Sequence, residues 1–83
     1  MEKTLIGTRT AADEAGRTHQ FFYYRLEEKR RYGVCIRKQN GETAALADLT
    51  GDRRRIDALL GALLRGTVTP VSLRDVVEDW LNR

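Results

Sequence analysis

Two clusters of basic residues are the strongest candidates for chemistry in this sequence: Lys29-Arg30-Arg31 and Arg53-Arg54-Arg55. The second cluster stands at the predicted start of a helix, where the helix dipole disfavours each positive charge by up to about 1 kcal/mol. Arginines beside free helix N–H groups would bind a phosphate or another anion. Successive helical residues point about 100° apart, however, so residues 53–55 do not share a face, and Arg53 is spaced to pair with Asp57.

Aromatic residues lie close to the first basic cluster. Phe21 to Tyr24 are consecutive aromatics followed by Arg25, and Tyr32 follows the cluster directly. Rings interleaved with arginines suit stacking on the bases of single-stranded nucleic acid. The alternative interpretation is an apolar core with a basic rim. We favour it, because no recognised DNA- or RNA-binding motif is present.

Three further side chains could take part in catalysis, and each has a simpler interpretation. His19 has no recognisable Cys, Asp or His partner at a suitable spacing. Cys35 stands in a predicted strand and has only Arg37 as a cationic neighbour, so we predict a small packed side chain. Ser72 begins a predicted helix, where Ser-x-x-Asp with Asp75 is a variant of the capping box.

Neither the carboxylates nor the glycines have the arrangement that is typical of a metal-binding or phosphate-binding site. Asp75, Glu78 and Asp79 could bind a divalent cation, but a solvated acidic helix face is far more common. The glycines are scattered without the spacing of a phosphate-binding loop. The sequence therefore predicts no catalytic residue, no cofactor and no metal, and we expect a protein that is not an enzyme.

The elements that must position these residues include two helices at the C-terminal end. Apolar residues recur at i, i+3, i+4, i+7 and i+8 in two stretches, which predicts helices over 51–65 and 72–82. Gly66 is predicted to end the first helix in a left-handed conformation. Residues 68–71 are predicted to form an extended link, because Pro70 disfavours the helical conformation of the residue before it. The stripes are Ile56, Leu59, Leu60, Leu63, Leu64 and Leu73, Val76, Val77, Trp80, Leu81.

Strands are predicted before the helices, over 3–10, 18–27, 32–39 and 42–49. β-branched and aromatic residues favour the first two, and alternation of Tyr32, Val34 and Ile36 favours the third. Asn40-Gly41 predicts a two-residue type I′ hairpin turn between the last two. Residues 28–31 are a charged connector.

The order of the elements predicts the fold class α+β. We expect a four-stranded antiparallel β-meander followed by two C-terminal α-helices packed on one sheet face. Even-numbered strand positions are expected to face the helices (Ile6, Phe22, Tyr24, Leu26, Val34, Ile36, Leu46). The opposite face would keep Leu5, Phe21, Tyr23, Cys35, Ala45 and Ala47, which is too apolar for free solvation and indicates a partner surface, with Phe21, Tyr23 and Cys35 as its candidates.

Length and composition limit the class of protein. The 83 residues carry a net charge of +3 and one cysteine. This predicts a single small domain over 1–83 and a reduced, cytoplasmic location. Residues 1–9 contain no long apolar stretch, so we expect no signal peptide, and no apolar run reaches the length that a membrane span needs.

The C-terminal half resembles a family of small uncharacterised bacterial proteins found largely in Gram-positive anaerobes, catalogued as a domain of unknown function. The residues that carry the resemblance are Tyr32-Gly33-Val34, Asp48-Leu49-Thr50 and above all 68–81, with the signature V-[ST]-P-V-x-L-x-D-V-[VI]-E-D-[FWY]-L. The resemblance covers residues 22–82 and implies a bacterial cytoplasmic protein. It implies no activity, cofactor or site residue.

The first functional hypothesis is a non-enzymatic protein-interaction or regulatory module that acts as a homodimer or meets another protein through its sheet face. The alternative is a nucleic-acid- or anion-binding regulator that uses Lys29, Arg30, Arg31, Arg53, Arg54 and Arg55.

Overall fold

The computed structural model describes residues 1–83 and confirms the α+β class. Strands β1 (Glu2–Ala12), β2 (Thr18–Glu28), β3 (Arg31–Lys38) and β4 (Thr43–Thr50) precede helix α1 (Arg53–Arg65), a 3₁₀ turn (Pro70–Ser72) and helix α2 (Leu73–Leu81). The strands form one antiparallel sheet in the order β1-β2-β3-β4. Both helices lie on one side of this sheet, so the structure is two layers thick.

The core lies between the two layers. The helices contribute the apolar stripes that the sequence predicts, and the two central strands contribute the sheet side. Its fully enclosed members are Phe21, Tyr23, Val34, Ile36, Ile56, Leu59, Leu60, Leu63, Leu73 and Val77.

The face assignment is wrong for β2, and in β1 Ile6 does not join the core, because it lies at the register shift between Leu5 and Gly7 and is 38% exposed. Phe21 and Tyr23 face the helices and are buried, whereas Phe22, Tyr24 and Leu26 lie on the opposite side. Across the β2–β3 turn Glu28 pairs with Arg31 and Glu27 with Tyr32, so each residue of β2 lies opposite a β3 residue of the other parity. Odd positions of β2 therefore share a face with even positions of β3, and the predicted connector 28–31 has the same consequence, so the expectation that even positions of every strand share one face is wrong. Val34, Ile36 and Leu46 do face the helices as expected.

The tight turn with two left-handed residues joins β2 to β3, not β3 to β4. Lys29 and Arg30 have φ values of 51° and 63°, as a type I′ turn requires. The turn at Asn40-Gly41 has a positive φ only at Gly41 (99°), whose N–H donates to the carbonyl of Lys38. The hairpin prediction for Asn40-Gly41 is therefore right, but the predicted turn type is wrong.

The Lys29-Arg30 turn stores backbone strain, because a side chain costs about 1–2 kcal/mol in the left-handed region. We expect Lys29→Asn with Arg30→Gly to raise the free energy of unfolding by about 1 kcal/mol, since Asn-Gly adopts this turn readily. Urea denaturation measures the change. The control is Lys29→Gln with Arg30→Gln, which removes both charges but keeps the strain and should leave stability unchanged. A gain as large in the control would assign the cost to charge repulsion instead.

The pairing of β4 with β3 contains a register shift that only a glycine in β3 permits. The register shifts between Tyr32 and Val34, and Asp48 has a φ of 57°. A Cβ at position 33 would overlap the carbonyl oxygen of Leu46 and lie 2.7 Å from the Cα of Ala47. Gly33 therefore allows the two backbones to approach closely.

Helix α1 begins two residues after the predicted start at 51 and ends at 65 as predicted, but its C-terminal cap differs from the prediction. Asp52 caps the N-terminus, with its Oδ1 accepting from the N–H of Arg54 at 2.9 Å. Gly66 is not left-handed as predicted, because Thr67 takes that conformation with a φ of 47°. The N–H groups of Thr67 and Val68 donate to the carbonyls of Leu64 and Leu63, which completes a Schellman motif one residue later.

The link before α2 is also different from the prediction. Pro70–Ser72 form a 3₁₀ turn where an extended link is expected, and Ser72 makes no side-chain capping bond. Its hydroxyl oxygen instead accepts a long hydrogen bond of 3.5 Å from Thr69. The capping-box prediction for Ser72 and Asp75 is therefore wrong, because the proline-initiated turn already places Ser72 in a helical conformation.

Tyr23 ties the sheet to the chain that follows α1. Its phenol donates to the carbonyl of Val68 at 2.8 Å, and burial raises the pKa of Tyr23 above its ordinary 10.0. The folded chain thus holds this proton at a pH where the unfolded chain releases it. Stability is therefore expected to fall as the pH rises through 10.0 toward the folded-state pKa.

Tyr23→Phe tests this linkage. The variant should lose about 1 kcal/mol at neutral pH with its hydrogen bond, yet its stability should fall less steeply than that of the parent chain above about pH 10. Urea denaturation of both proteins across that range measures the difference. Parallel curves would contradict the role of the Tyr23 proton.

Candidate functional site

The side of the sheet away from the helices is the most distinctive surface of the molecule, and we call it the open face. Antiparallel pairing brings Leu5, Tyr24, Cys35 and Ala45 side by side across all four strands at one level. Phe22 with Arg37 forms the next level toward one end, and Leu26 with Gly33 the next level toward the β2–β3 turn. No helix covers these residues.

The centre of the open face is apolar and partly screened by two cations. Leu5 is 51% exposed, while Phe22 and Tyr24 are half-buried. The Lys3 ammonium lies 4.6 Å from the centre of the Tyr24 ring, and the Arg37 guanidinium lies 4.4 Å from that of Phe22. Such cation–π contacts stabilise an exposed ring by about 0.5–1 kcal/mol. Long basic side chains thus shield part of the apolar surface from water.

The predicted partner residues divide between the two faces. Phe21 and Tyr23 are enclosed beneath the helices and cannot meet a partner, which corrects their assignment. Cys35 does lie on the open face, in the middle of β3, as expected. Its neighbours bury it, and burial raises the pKa of its thiol. A protonated thiol is a poor nucleophile, so the packed interpretation suits this cysteine.

A depression marks the end of the open face next to the β2–β3 turn. Its volume is about 250 Å³. Leu26, Gly33 and Ala47 form the apolar floor, and charged residues including Glu28 and Asp48 stand at the rim. Gly33 lies in its lining where the backbone of β4 approaches β3 closely. The sequence contains the glycine but no sign that β4 crosses it, so sequence reasoning missed this feature.

The two basic clusters lie at the same end of the molecule. The Arg31 guanidinium and the Arg30 carbonyl border Gly51, directly before the start of α1. Three of the six cations are engaged within the chain: Arg31 with Asp48, Arg53 with Asp57 at 3.4 Å as predicted, and Arg55 over the Trp80 ring at 4.8 Å. Lys29, Arg30 and Arg54 have no carboxylate partner.

His19 has a partner that sequence reasoning missed. Its Nε2 and the Asp13 Oδ2 are 2.8 Å apart, across the loop that joins β1 to β2. Asp13 Oδ1 accepts from the N–H groups of Ala15 and Arg17, so the carboxylate holds the loop together. The hydrogen bond from His19, with those from the backbone, keeps the pKa of Asp13 below its ordinary value. The register of the β1–β2 hairpin is the signal that could have revealed this contact.

A second depression lies beside this pair, on the helix side of the sheet. Lys38 and Thr69 line it together with Asp13 and His19, over a floor that includes Phe21. The lysine and hydroxyl could contact a small anion, but the imidazole and carboxylate are already bonded to each other. Elsewhere, Asp75, Glu78 and Asp79 are exposed, and no three His, Cys, Asp or Glu side chains meet in a way that could hold a metal ion.

Comparison with known proteins shows the family but no activity. Neither helix has the length and apolar character needed to cross a bilayer. No curated protein and no solved structure matches the chain. The model of a family of unknown function (DUF6514) matches residues 2–83. Because that match covers nearly the whole sequence, the chain belongs to the DUF6514 family.

Proposed function

We propose that this protein is a non-enzymatic interaction module, and that its open face binds a second copy of the chain. The single observation that supports this most is an apolar sheet face without a covering layer, in a protein whose other face is fully packed. Uncovered apolar surface of this kind is typical of interaction sites. A regulatory role would depend on another protein that the dimer binds.

The size of the open face suits a dimer. Its strands contain 8 to 11 residues. With about 3.3 Å per residue and about 4.8 Å between strands, the flat sheet measures roughly 600 Å², before side chains add to it. A standard-size interface buries about 800 Å² on each partner. One sheet face therefore supplies nearly the area that a stable dimer needs.

The positions of the reactive side chains also favour a binding role. Cys35 is buried with a raised pKa, and His19 is held by Asp13 in a loop-closing contact. The depression on the open face has an apolar floor and no pair of groups arranged as nucleophile and base. These features favour recognition over catalysis.

Sedimentation velocity tests the proposal directly. The dimer of the parent chain should have a dissociation constant between about 1 µM and about 1 mM, which is the range of weak to moderate association. Leu5→Glu places a charge on edge strand β1 at an apolar side chain of the open face that is 51% exposed, and it should leave only monomers. Val71→Glu is the matched control, because Val71 is an 81% exposed apolar residue in the 3₁₀ turn of the helix layer. A monomeric parent chain, or equal loss in both variants, would contradict the proposal.

A second candidate function is contact with nucleic-acid phosphates, which the convergence of the two basic clusters favours. Lys29, Arg30 and Arg54 are its free cations at the turn end of the sheet. Binding of a fluorescent single-stranded oligonucleotide should then weaken with salt and be lost in Arg30→Glu with Arg54→Glu. Arg74→Glu, an exposed site on α2, is the charge-matched control. Absence of salt-dependent binding would remove this candidate.

The cellular setting that we propose is the bacterial cytoplasm. The single, unpaired cysteine is consistent with a reducing compartment. The resemblance of residues 68–81 to a bacterial signature supports the same origin. Cell fractionation of a host that encodes the protein would test the location.

A further inference from the structure

The second depression, on the helix side of the sheet, is a cavity that the proposed function does not use. Its volume is about 330 Å³, within the range in which small organic ligands bind. Strand pairing builds its floor on one face of the sheet, because His19 lies opposite Ala11 and Phe21 lies opposite Lys38. Thr69, in the link that precedes α2, forms a wall on the helix side.

Lys38 carries the charge in this depression that has no partner. Its side chain is half-buried and forms no ion pair. The carboxylate of Asp13, which also lines the depression, is already occupied, because it is bonded to His19 and to two backbone N–H groups of its own loop. The uncompensated charge in the lining is therefore positive.

A second cation lies next to the same floor. Arg9 pairs with Phe21 from the β1 side, as Lys38 does from the β3 side, so the two basic residues flank one aromatic residue on the helix side of the sheet. The Arg9 Nε donates to the carbonyl of Leu64 at 2.8 Å, and the guanidinium has no carboxylate partner. Both cations favour an anion as the ligand.

The remaining lining residues determine what kind of anion would fit. Phe21 and Ala11 give the floor an apolar character, which an inorganic ion could not use. The Thr69 hydroxyl makes only a long hydrogen bond of 3.5 Å to Ser72, so it can donate to a ligand oxygen instead. We propose that the second depression binds a small carboxylate with a compact apolar body, whose oxygens accept from Lys38 and Thr69 while the body covers the floor.

Two contacts hold the walls in place before a ligand binds. The Tyr23 phenol donates to the carbonyl of Val68 at 2.8 Å, directly before Thr69. On the other side, Asp13 closes the β1–β2 loop through its backbone hydrogen bonds and His19. A site that is already formed loses little conformational entropy on binding, which favours even a small ligand. The site lies on the opposite side of the sheet from the open face, so it does not depend on the proposed dimer.

Titration with benzoate, followed by amide chemical shifts in NMR spectra of the full chain, tests the proposal. The amide signals of Asp13, His19 and Lys38 should shift, with a dissociation constant of about 1 mM, the order expected for a ligand of this size. Benzamide keeps the shape but removes the charge, and acetate keeps the charge but removes the apolar body. Each should bind about 10-fold more weakly than benzoate.

Two variants test the residues that would hold the carboxylate. Lys38→Gln should weaken benzoate binding about 10-fold, and Thr69→Val, which removes the hydroxyl but keeps the size, about 3-fold. Arg74→Gln, an exposed site on α2, removes the same charge far from the depression and should leave binding unchanged. The amide spectra of the variants also verify that each is folded.

Preference for benzoate over both comparison compounds, with loss in Lys38→Gln and not in Arg74→Gln, supports the site. Equal binding of benzamide or of acetate overturns it, because charge or the apolar floor would then play no part. Absence of shifts at the three amides, or an equal loss in Lys38→Gln and Arg74→Gln, overturns it as well. The proposed homodimer stands or fails separately, by sedimentation.

Discussion

Gly33→Ala is expected to lower the free energy of unfolding by about 3 kcal/mol, the upper end of what added atoms cost in a packed site. The new methyl group would overlap the Leu46 carbonyl and press on the Cα of Ala47. Both neighbours are backbone atoms held in the β3–β4 ladder, so they cannot move without breaking sheet hydrogen bonds. A domain of this size has only about 4–12 kcal/mol in total. Urea denaturation followed by circular dichroism measures the loss.

Gly61→Ala is the matched control, since it makes the same chemical change with the opposite expected sign. Gly61 lies inside α1, where the new Cβ would meet only the end of the flexible Arg65 side chain at 3.2 Å. Alanine is more favourable than glycine in a helix by about 1 kcal/mol. A Gly33→Ala protein as stable as the parent chain would mean that β4 does not cross over position 33.

Leu60→Ala is expected to cost about 2–5 kcal/mol, because it leaves a cavity in a core that has few other side chains. Leu60 is fully buried in α1 and belongs to the cluster that joins the helices to β2 and β3. Loss of this magnitude would leave the domain with little margin at 37 °C. The midpoint of urea denaturation should fall while the slope stays unchanged.

Leu64→Ala provides the comparison for Leu60→Ala. Leu64 belongs to the same predicted stripe but is only half-buried, against Gly7 of β1. Its truncation should therefore cost clearly less. Equal costs at the two positions would show that α1 is rotated from the position described above, with Leu64 facing the core.

The helices and strands could be predicted from the sequence because their signals are local. The stripes of α1 and α2 repeat with the helical period, and β3 alternates cleanly, so the elements begin and end within a few residues of their predicted bounds. The antiparallel meander also follows from short connections between successive strands. These features depend on neighbours in the chain, which the sequence contains explicitly.

The faces of the sheet could not be predicted in the same way. Phe21 to Tyr24 are all aromatic, so alternation gives no preference for either face of β2. The assignment depends on how β2 pairs with β3, which sets odd positions of β2 beside even positions of β3. Positions of the same parity therefore do not share a face across this pair, and the expected roles of Phe21 and Tyr23 are reversed.

The candidate site depends on contacts between distant segments. The depression over Gly33 needs β4 to bend at Asp48, and the pairing of Arg31 with Asp48 needs the same bend. His19 meets Asp13 only because the β1–β2 hairpin closes in one register. Spacing along the chain contains no direct signal for any of these contacts, although each follows once the strand register is known.

Met1 lines the depression over Gly33, whereas Arg83 follows α2 in the helix layer. An affinity tag joined ahead of Met1 would therefore emerge beside the surface through which two copies are proposed to associate. A tag placed after Arg83 would leave that surface accessible. Protein prepared with the two tag positions should consequently differ in apparent mass in solution, and the C-terminal fusion is the suitable form for measuring self-association.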